Sequence, residues 1–216
     1  MIKVLVFDFD GVILESVAVK DQAIFDLFEE VTLEERKRVL EVHRQTPGIN
    51  RRERMVLLLT RGLGRDSTPE EIERLLERFG DLVWDGLMTC PEVSGVRRFL
   101  EQIYTKIPCY VISAAPQDEI RSVAKARDFS RYFVELFGTP PAKKDRLKEI
   151  MTRENVFGRS MLFIGDKISD YTAAQNTGVN FVGKQSEKDK TNFLDEIVTI
   201  NDFTTFIKIF SSFQSH

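Results

Sequence analysis

Histidine and cysteine are scarce in this chain, with two of each among 216 residues. Cys90 and Cys109 form no CxxC pair, and His43 is the one histidine away from the C-terminal residue, so a structural zinc site is nearly excluded. Two cysteines make no disulfide framework and read as reduced packing residues. No apolar run approaches the roughly 20 residues that a membrane span needs. Met1-Ile2-Lys3 leads at once into an apolar segment, without space for a signal or transit peptide. A cytoplasmic location is expected. Neither sign of charge dominates: 31 Lys and Arg against 34 Asp and Glu leave a formal net charge of −3. That balance argues against nucleic acid or an anionic membrane as partner.

What is present starts with Val4-Leu5-Val6-Phe7-Asp8-Phe9-Asp10-Gly11. The apolar part has the length and β-branched character of a buried parallel strand. It ends in two acids one residue apart, and open α/β sheets put their chemistry at the carboxyl ends of strands. Buried carboxylates without a basic neighbour are costly, and a bound cation is a ready compensation.

From about Val17 to Asp85 the pattern is helical throughout. Thr32 with Glu35 forms a capping box, Pro47-Gly48 breaks the chain, Asn50 caps a third helix, and Ser67 or Thr68 before Pro69 starts a fourth. Trp84 and the phenylalanines of this block read as bundle core. After Cys90-Pro91 strands and helices alternate, with strands expected over 108–113, 132–137, 160–166 and 180–183, an edge strand near 198–200 and a last helix over 203–210. The polar stretch 185–191 reads as a mobile loop. Such alternation predicts an α/β fold, a Rossmann-like doubly wound parallel sheet, with an inserted helical cap. The expected core spans 1–14 and 91–216 and the cap 15–90, with hinges at the two crossings.

Three of these strands end in polar residues: Asp8 and Asp10, then Ser113, then Asp166 with Asp170 four residues on. Lys143 and Lys144 open a helix between the second and third of these sites. Each residue alone has an ordinary explanation as turn, cap or solvated charge. Their joint order and strand-end placement point to one site.

In that order, DFDGV at 8–12, VISAA at 111–115, GTPPAK at 138–143 and GDKISD at 165–170 resemble the haloacid dehalogenase superfamily, in its helical-cap branch. The resemblance spans nearly the whole chain and implies phosphoryl transfer. Asp8 would be nucleophile, Asp10 general acid and base, and Ser113 and the Ala114 amide phosphoryl donors. Mg²⁺ would be held by Asp8, Asp10 through its carbonyl, and Asp166, with Asp170 open between metal, Lys143 and its own helix start. Family members place apolar residues four and seven positions after the functional lysine. Leu147 and Ile150 therefore select Lys143 over Lys144. Dehalogenases of this superfamily lack the acid two residues after the nucleophile; Asp10 therefore favours a phosphatase. A phosphomutase, or an idle binding module on the same sheet, are the alternatives.

Relatives read DS or DT where this chain has Glu15-Ser16, so the contacts of Glu15 are open. The cap is expected to choose the substrate, a small phosphorylated metabolite. Arg51, beside the Pro47-Gly48 turn, could aim a guanidinium at an anionic leaving group or simply face solvent. Either a monomer or a homodimer fits.

Overall fold

Residues 1–46, 49–185 and 193–214 are described by the structure, a computed structural model. The Pro47-Gly48 break and most of the polar stretch after Gln185 lie outside the described residues. Val4–Phe7 forms strand β1, buried at every position. Strands β2 (Cys109–Pro116), β3 (Glu135–Thr139), β4 (Met161–Gly165), β5 (Asn180–Lys184) and β6 (Thr199–Ile200) complete one sheet of order β3-β2-β1-β4-β5-β6. Every pairing is parallel. The doubly wound α/β expectation is borne out.

Because side chains alternate across a strand, β1 serves two cores. Val4 and Val6 meet Tyr110, Ile112 and Phe163 on one face, closed by helices α7 (Lys143–Glu154) and α8 (Ile168–Gln175) through Leu147, Ile150, Ala173 and Ala174. On the other face Phe7 lies 6.4 Å from Phe99 and 6.1 Å from Phe203, ring centre to ring centre. Those rings come from α5 (Val96–Ile103) and α9 (Phe203–Gln214). Burying a large aromatic or aliphatic side chain contributes about 1.5–3 kcal/mol, so a strand sealed on both faces is a rigid platform.

Two strand boundaries differ from expectation. β2 does not end at Ser113 but continues through an irregularity to Pro116. The strand expected over 132–137 starts only at Glu135, because Ser130–Tyr132 close a 3₁₀ turn with Tyr132 N–H donating to the Phe129 carbonyl at 3.0 Å.

The chain divides into two compact units, Met1–Glu15 with Pro91–His216, and Ser16–Cys90. The second unit is helical among its described residues: α1 (Val17–Leu27), α2 (Leu33–Arg44), α3 (Arg51–Leu57) running into a π-helical turn at Leu58–Gly62, and α4 (Pro69–Thr89). Thr32 and Glu35 cap α2 reciprocally, Asn50 caps α3 and Thr68 caps α4 with Pro69 in its first turn. Trp84 is not core; it is 38% exposed. The buried positions of α4, Ile72, Phe79, Val83 and Leu87, follow helical spacing, and Trp84 stands one residue off that stripe. Among the described residues no helix is long and apolar enough to cross a membrane.

Candidate active site

From β1 the chain winds to β2 and β3 on one side, then crosses to β4, β5 and β6 on the other. The ends of β1 and β4 therefore flank the switch point, where open α/β sheets bind ligands. Asp8 leaves β1 with its N–H donating to the Ile164 carbonyl at 2.8 Å. Its Oδ1 accepts from Phe9 N–H at 2.7 Å. Asp166 follows β4 directly, and α8 carries Asp170 back across the strand end. Gly165 permits this approach: a Cβ there would stand 2.5 Å from Asp170 Cβ and 2.7 Å from its Oδ2. Any side chain at 165 would push Asp170 aside. Asp8, Asp166 and Asp170 are buried, and each offers an oxygen within 4.8 Å of the others.

Lys143 is the first residue of α7, on the same face as the buried Leu147 and Ile150. Its Nζ reaches Asp8 Oδ2 at 2.8 Å and Asp170 Oδ1 at 2.6 Å. Lys144, one step around the helix, is exposed. Asp170 fills two of the roles left open: it pairs with Lys143, and its Oδ2 accepts from Lys167 N–H at 3.1 Å, tying down the start of α8. Ser113 is buried on β2, two residues beyond Val111, the partner of Phe7. Its Oγ accepts from Ala115 N–H at 3.1 Å, and the half-buried Ala114 lies between them. Asp10 is half-buried in the turn after β1, which the Gly11 N–H closes onto the Leu14 carbonyl at 2.8 Å. Arg51 belongs to the helical unit, its guanidinium 4.8 Å from the Phe79 ring centre.

Two lysines escaped the sequence reading. Lys167 puts its Nζ 3.2 Å from Asp166 Oδ2; it sits inside the GDKISD motif in plain view, next to the acid that drew attention. Lys184 ends β5 almost fully buried and donates to Glu15 Oε1 at 2.9 Å. Glu15 N–H also donates to the Pro91 carbonyl at 2.9 Å. The longer carboxylate at position 15 thus has a definite partner, for which the only sequence signal was a lysine at the end of an apolar strand.

Burial pushes the Asp8 carboxyl up to about 8; Lys143 pulls it down, while Asp170, Asp166 and Asp10 push it further up. Burial likewise pushes Asp166 up to about 6, with Lys167 pulling against it. For Lys143 burial pulls the ammonium down, but Asp170 and Asp8 outweigh it and the net direction is upward. Lys143 and Lys167 together bring two positive charges, one short of neutrality, to three buried carboxylates. Their all-oxygen donor set suits a hard divalent cation such as Mg²⁺, so the residues fit the metal that the motif resemblance implies.

A sign follows for stability. A carboxyl raised above its unfolded value favours the protonated folded state, so its contribution is lost as pH climbs from about 4 to about 8. Lys143 stays charged throughout that window. Cation binding displaces those protons, so the rise in melting temperature from EDTA to millimolar Mg²⁺ is expected to be several degrees larger at pH 8 than at pH 5. Scanning fluorimetry under the four conditions checks this, and taking the difference cancels other titrating groups. Equal increments at both pH values would count against the acidic cluster as a cation site.

A family model described as haloacid dehalogenase-like hydrolase matches residues 5–184. No curated protein matches by sequence. Among solved structures, a predicted phosphoglycolate phosphatase from Haemophilus somnus superposes with a TM-score of 0.76 at 18% identity, covering 97% of this chain and 98% of that one. The protein YfnB from Bacillus subtilis, solved bound to magnesium, gives 0.76 at 14% identity, covering 97% and 99%. A β-phosphoglucomutase from Clostridium difficile gives 0.75 at 17% identity, covering 100% and 98%.

Proposed function

The chain belongs to the haloacid dehalogenase-like hydrolase family, and from that premise we propose that it is a Mg²⁺-dependent phosphatase of a small anionic phosphomonoester, acting through an aspartyl-phosphate. The observation that carries this reading is the buried Asp8 carboxylate, held 2.8 Å from Lys143 at the switch point with Asp10 two residues away.

Phosphoryl transfer asks little covalent chemistry of the protein beyond a positioned nucleophile and matched charge. An Asp8 oxygen attacks phosphorus in line; the O–P bond to Asp8 forms as the bond to the leaving oxygen breaks. Asp10, protonated at that moment, gives its proton to the leaving alkoxide. It then takes a proton from the water that attacks the aspartyl-phosphate, returning Asp8 as a carboxylate and releasing inorganic phosphate. Lys143, 2.8 Å from Asp8, favours the ionised carboxylate, as the cation would, and opposes negative charge on the phosphoryl oxygens. The Ser113 hydroxyl, whose oxygen already accepts from Ala115 N–H, keeps its own hydrogen to donate to one of those oxygens, and the Ala114 amide serves another. Asp8, Asp166, Asp170 and the Asp10 carbonyl would hold Mg²⁺, which supplies neutralising charge to the phosphoryl group. On the helical unit Arg51 is the candidate for recognising an anionic leaving group.

The test is hydrolysis of p-nitrophenyl phosphate by the intact chain. Activity is expected with Mg²⁺, to be lost in EDTA and restored by added Mg²⁺. Turnover that persists in EDTA would reject the mechanism, and no turnover of any member of a phosphometabolite panel would reject the enzyme. The likeness in fold to a β-phosphoglucomutase keeps a phosphomutase as the second reading. Conversion of a hexose 1-phosphate to the 6-phosphate without released phosphate would favour it.

A further inference from the structure

Between two pairings with β3, Ile112 with Phe137 and Pro116 with Thr139, β2 uses four residue steps where β3 uses two. The pairing skips Ser113, Ala114 and Ala115, which is the segment the proposed function assigns to the phosphoryl group. Leaving a ladder costs backbone hydrogen bonds, and β3 is buried over Leu136–Gly138. Gln117, the first residue of α6 (Gln117–Ala126), makes good the loss. Its Nε2 donates to the Leu136 carbonyl at 2.5 Å, and its Oε1 accepts from Gly138 N–H at 3.0 Å. One side-chain carboxamide thus presents to β3 the donor and acceptor that a neighbouring strand would have offered. Gly138 makes room for this arrangement: a Cβ there would stand 2.4 Å from Gln117 N and 2.7 Å from the Ala115 carbonyl oxygen.

We propose that Gln117 is a positioning residue for the phosphoryl site, its carboxamide replacing the missing strand contacts of β3 so that Ser113–Ala115 can bulge out of the ladder and keep a fixed shape. This rests on the proposed phosphatase reading for the purpose of the bulge, but not for its geometry. Gln117 touches no reacting group and acts through Ser113 and Ala114. Gln117→Leu keeps the bulk and removes both hydrogen bonds. Gln117→Glu keeps an acceptor for Gly138 N–H and loses the donor to Leu136.

The experiment compares the two variants with wild type in three measurements: inhibition by inorganic phosphate, the Mg²⁺ concentration for half-maximal p-nitrophenyl phosphate turnover, and amide hydrogen exchange. Gln117→Leu is expected to weaken phosphate inhibition and raise KM at least fivefold, with Gln117→Glu intermediate. The Mg²⁺ requirement should not move, since its ligands follow β1 and β4 or lie on α8. Exchange at the Ala115 and Gly138 amides should quicken at least tenfold. A purely structural role would lower the melting temperature alone, and unchanged phosphate affinity in folded Gln117→Leu overturns the proposal. If Gln117→Leu fails to fold, the same comparison on Gln117→Glu decides. Should wild type hydrolyse no phosphomonoester, the functional reading fails by itself. Hydrogen exchange then still decides whether Gln117 holds the bulge, and unchanged protection at Ala115 overturns it.

Discussion

Asp8→Asn is expected to lower p-nitrophenyl phosphate turnover on the order of 10⁵-fold or more. The amide is nearly isosteric, so loss of nucleophilicity is isolated from loss of shape. No labelled phosphoenzyme should be trapped by acid quench. Asp10→Asn should behave differently, because it removes a proton carrier and leaves the nucleophile in place. General acid–base assistance is worth about 10²–10⁴-fold, and Asp10 is asked to act in both chemical steps. Phosphoenzyme should still form with Asp10→Asn, slowly, and best with a leaving group as acidic as p-nitrophenol. Retention of more than a tenth of wild-type turnover by Asp8→Asn would sink the mechanism, and a loss below about tenfold in Asp10→Asn would remove Asp10 from it.

Lys143→Ala is expected to damage both turnover and stability, while Lys144→Ala leaves both close to wild type. Lys143 is the cation shared by Asp8 and Asp170, at 2.8 and 2.6 Å. Deleting one partner of a buried ion pair typically costs about 3–5 kcal/mol, because the remaining charge is left uncompensated. Here bound Mg²⁺ would relieve part of that loss, so the melting temperature of Lys143→Ala should depend more steeply on Mg²⁺ than that of wild type. Removing a charge that opposes the phosphoryl oxygens should lower kcat on the order of 10²–10³-fold. Exposed Lys144 belongs to the class of surface substitutions worth within about 0.5 kcal/mol. Melting curves and steady-state kinetics on both variants, with kinetics run well below the lower melting temperature, separate the two effects. Equal or greater damage from Lys144→Ala would move the assignment by one residue.

The acids of the site were legible because a strand buried on both faces leaves a strong trace, and the residue that follows it is then marked by position alone. Lys143 was legible through its helix: Leu147 and Ile150 at helical spacing say which side of α7 faces the sheet. The helix starts were legible at Thr32, Asn50 and Thr68, since capping is chemistry between near neighbours in sequence. What stayed hidden depends on partners far apart in the chain. Lys184 and Glu15 are 169 positions apart. The hydrogen bonds of Gln117 go to a strand some twenty residues later, and nothing local marks them out. Trp84 resembles core, as any aromatic in a helical block does, until the stripe of buried neighbours Ile72, Phe79, Val83 and Leu87 is traced.

The place of β1 in the sheet also sets a schedule for synthesis. The central strand is made first, yet both of its neighbours come late, β2 from residue 109 and β4 from residue 161. At about 5–20 residues per second, the ribosome needs on the order of ten seconds to deliver even the nearer partner. The helical unit, whose helices pack on one another, is complete in the meantime and can fold while Val4–Phe7 waits. A stretch of four apolar residues with no partner is an aggregation hazard during that interval. Chaperone dependence of this chain should therefore be concentrated at its N-terminal strand, and the inserted helices, whatever they recognise, are also what makes that strand wait.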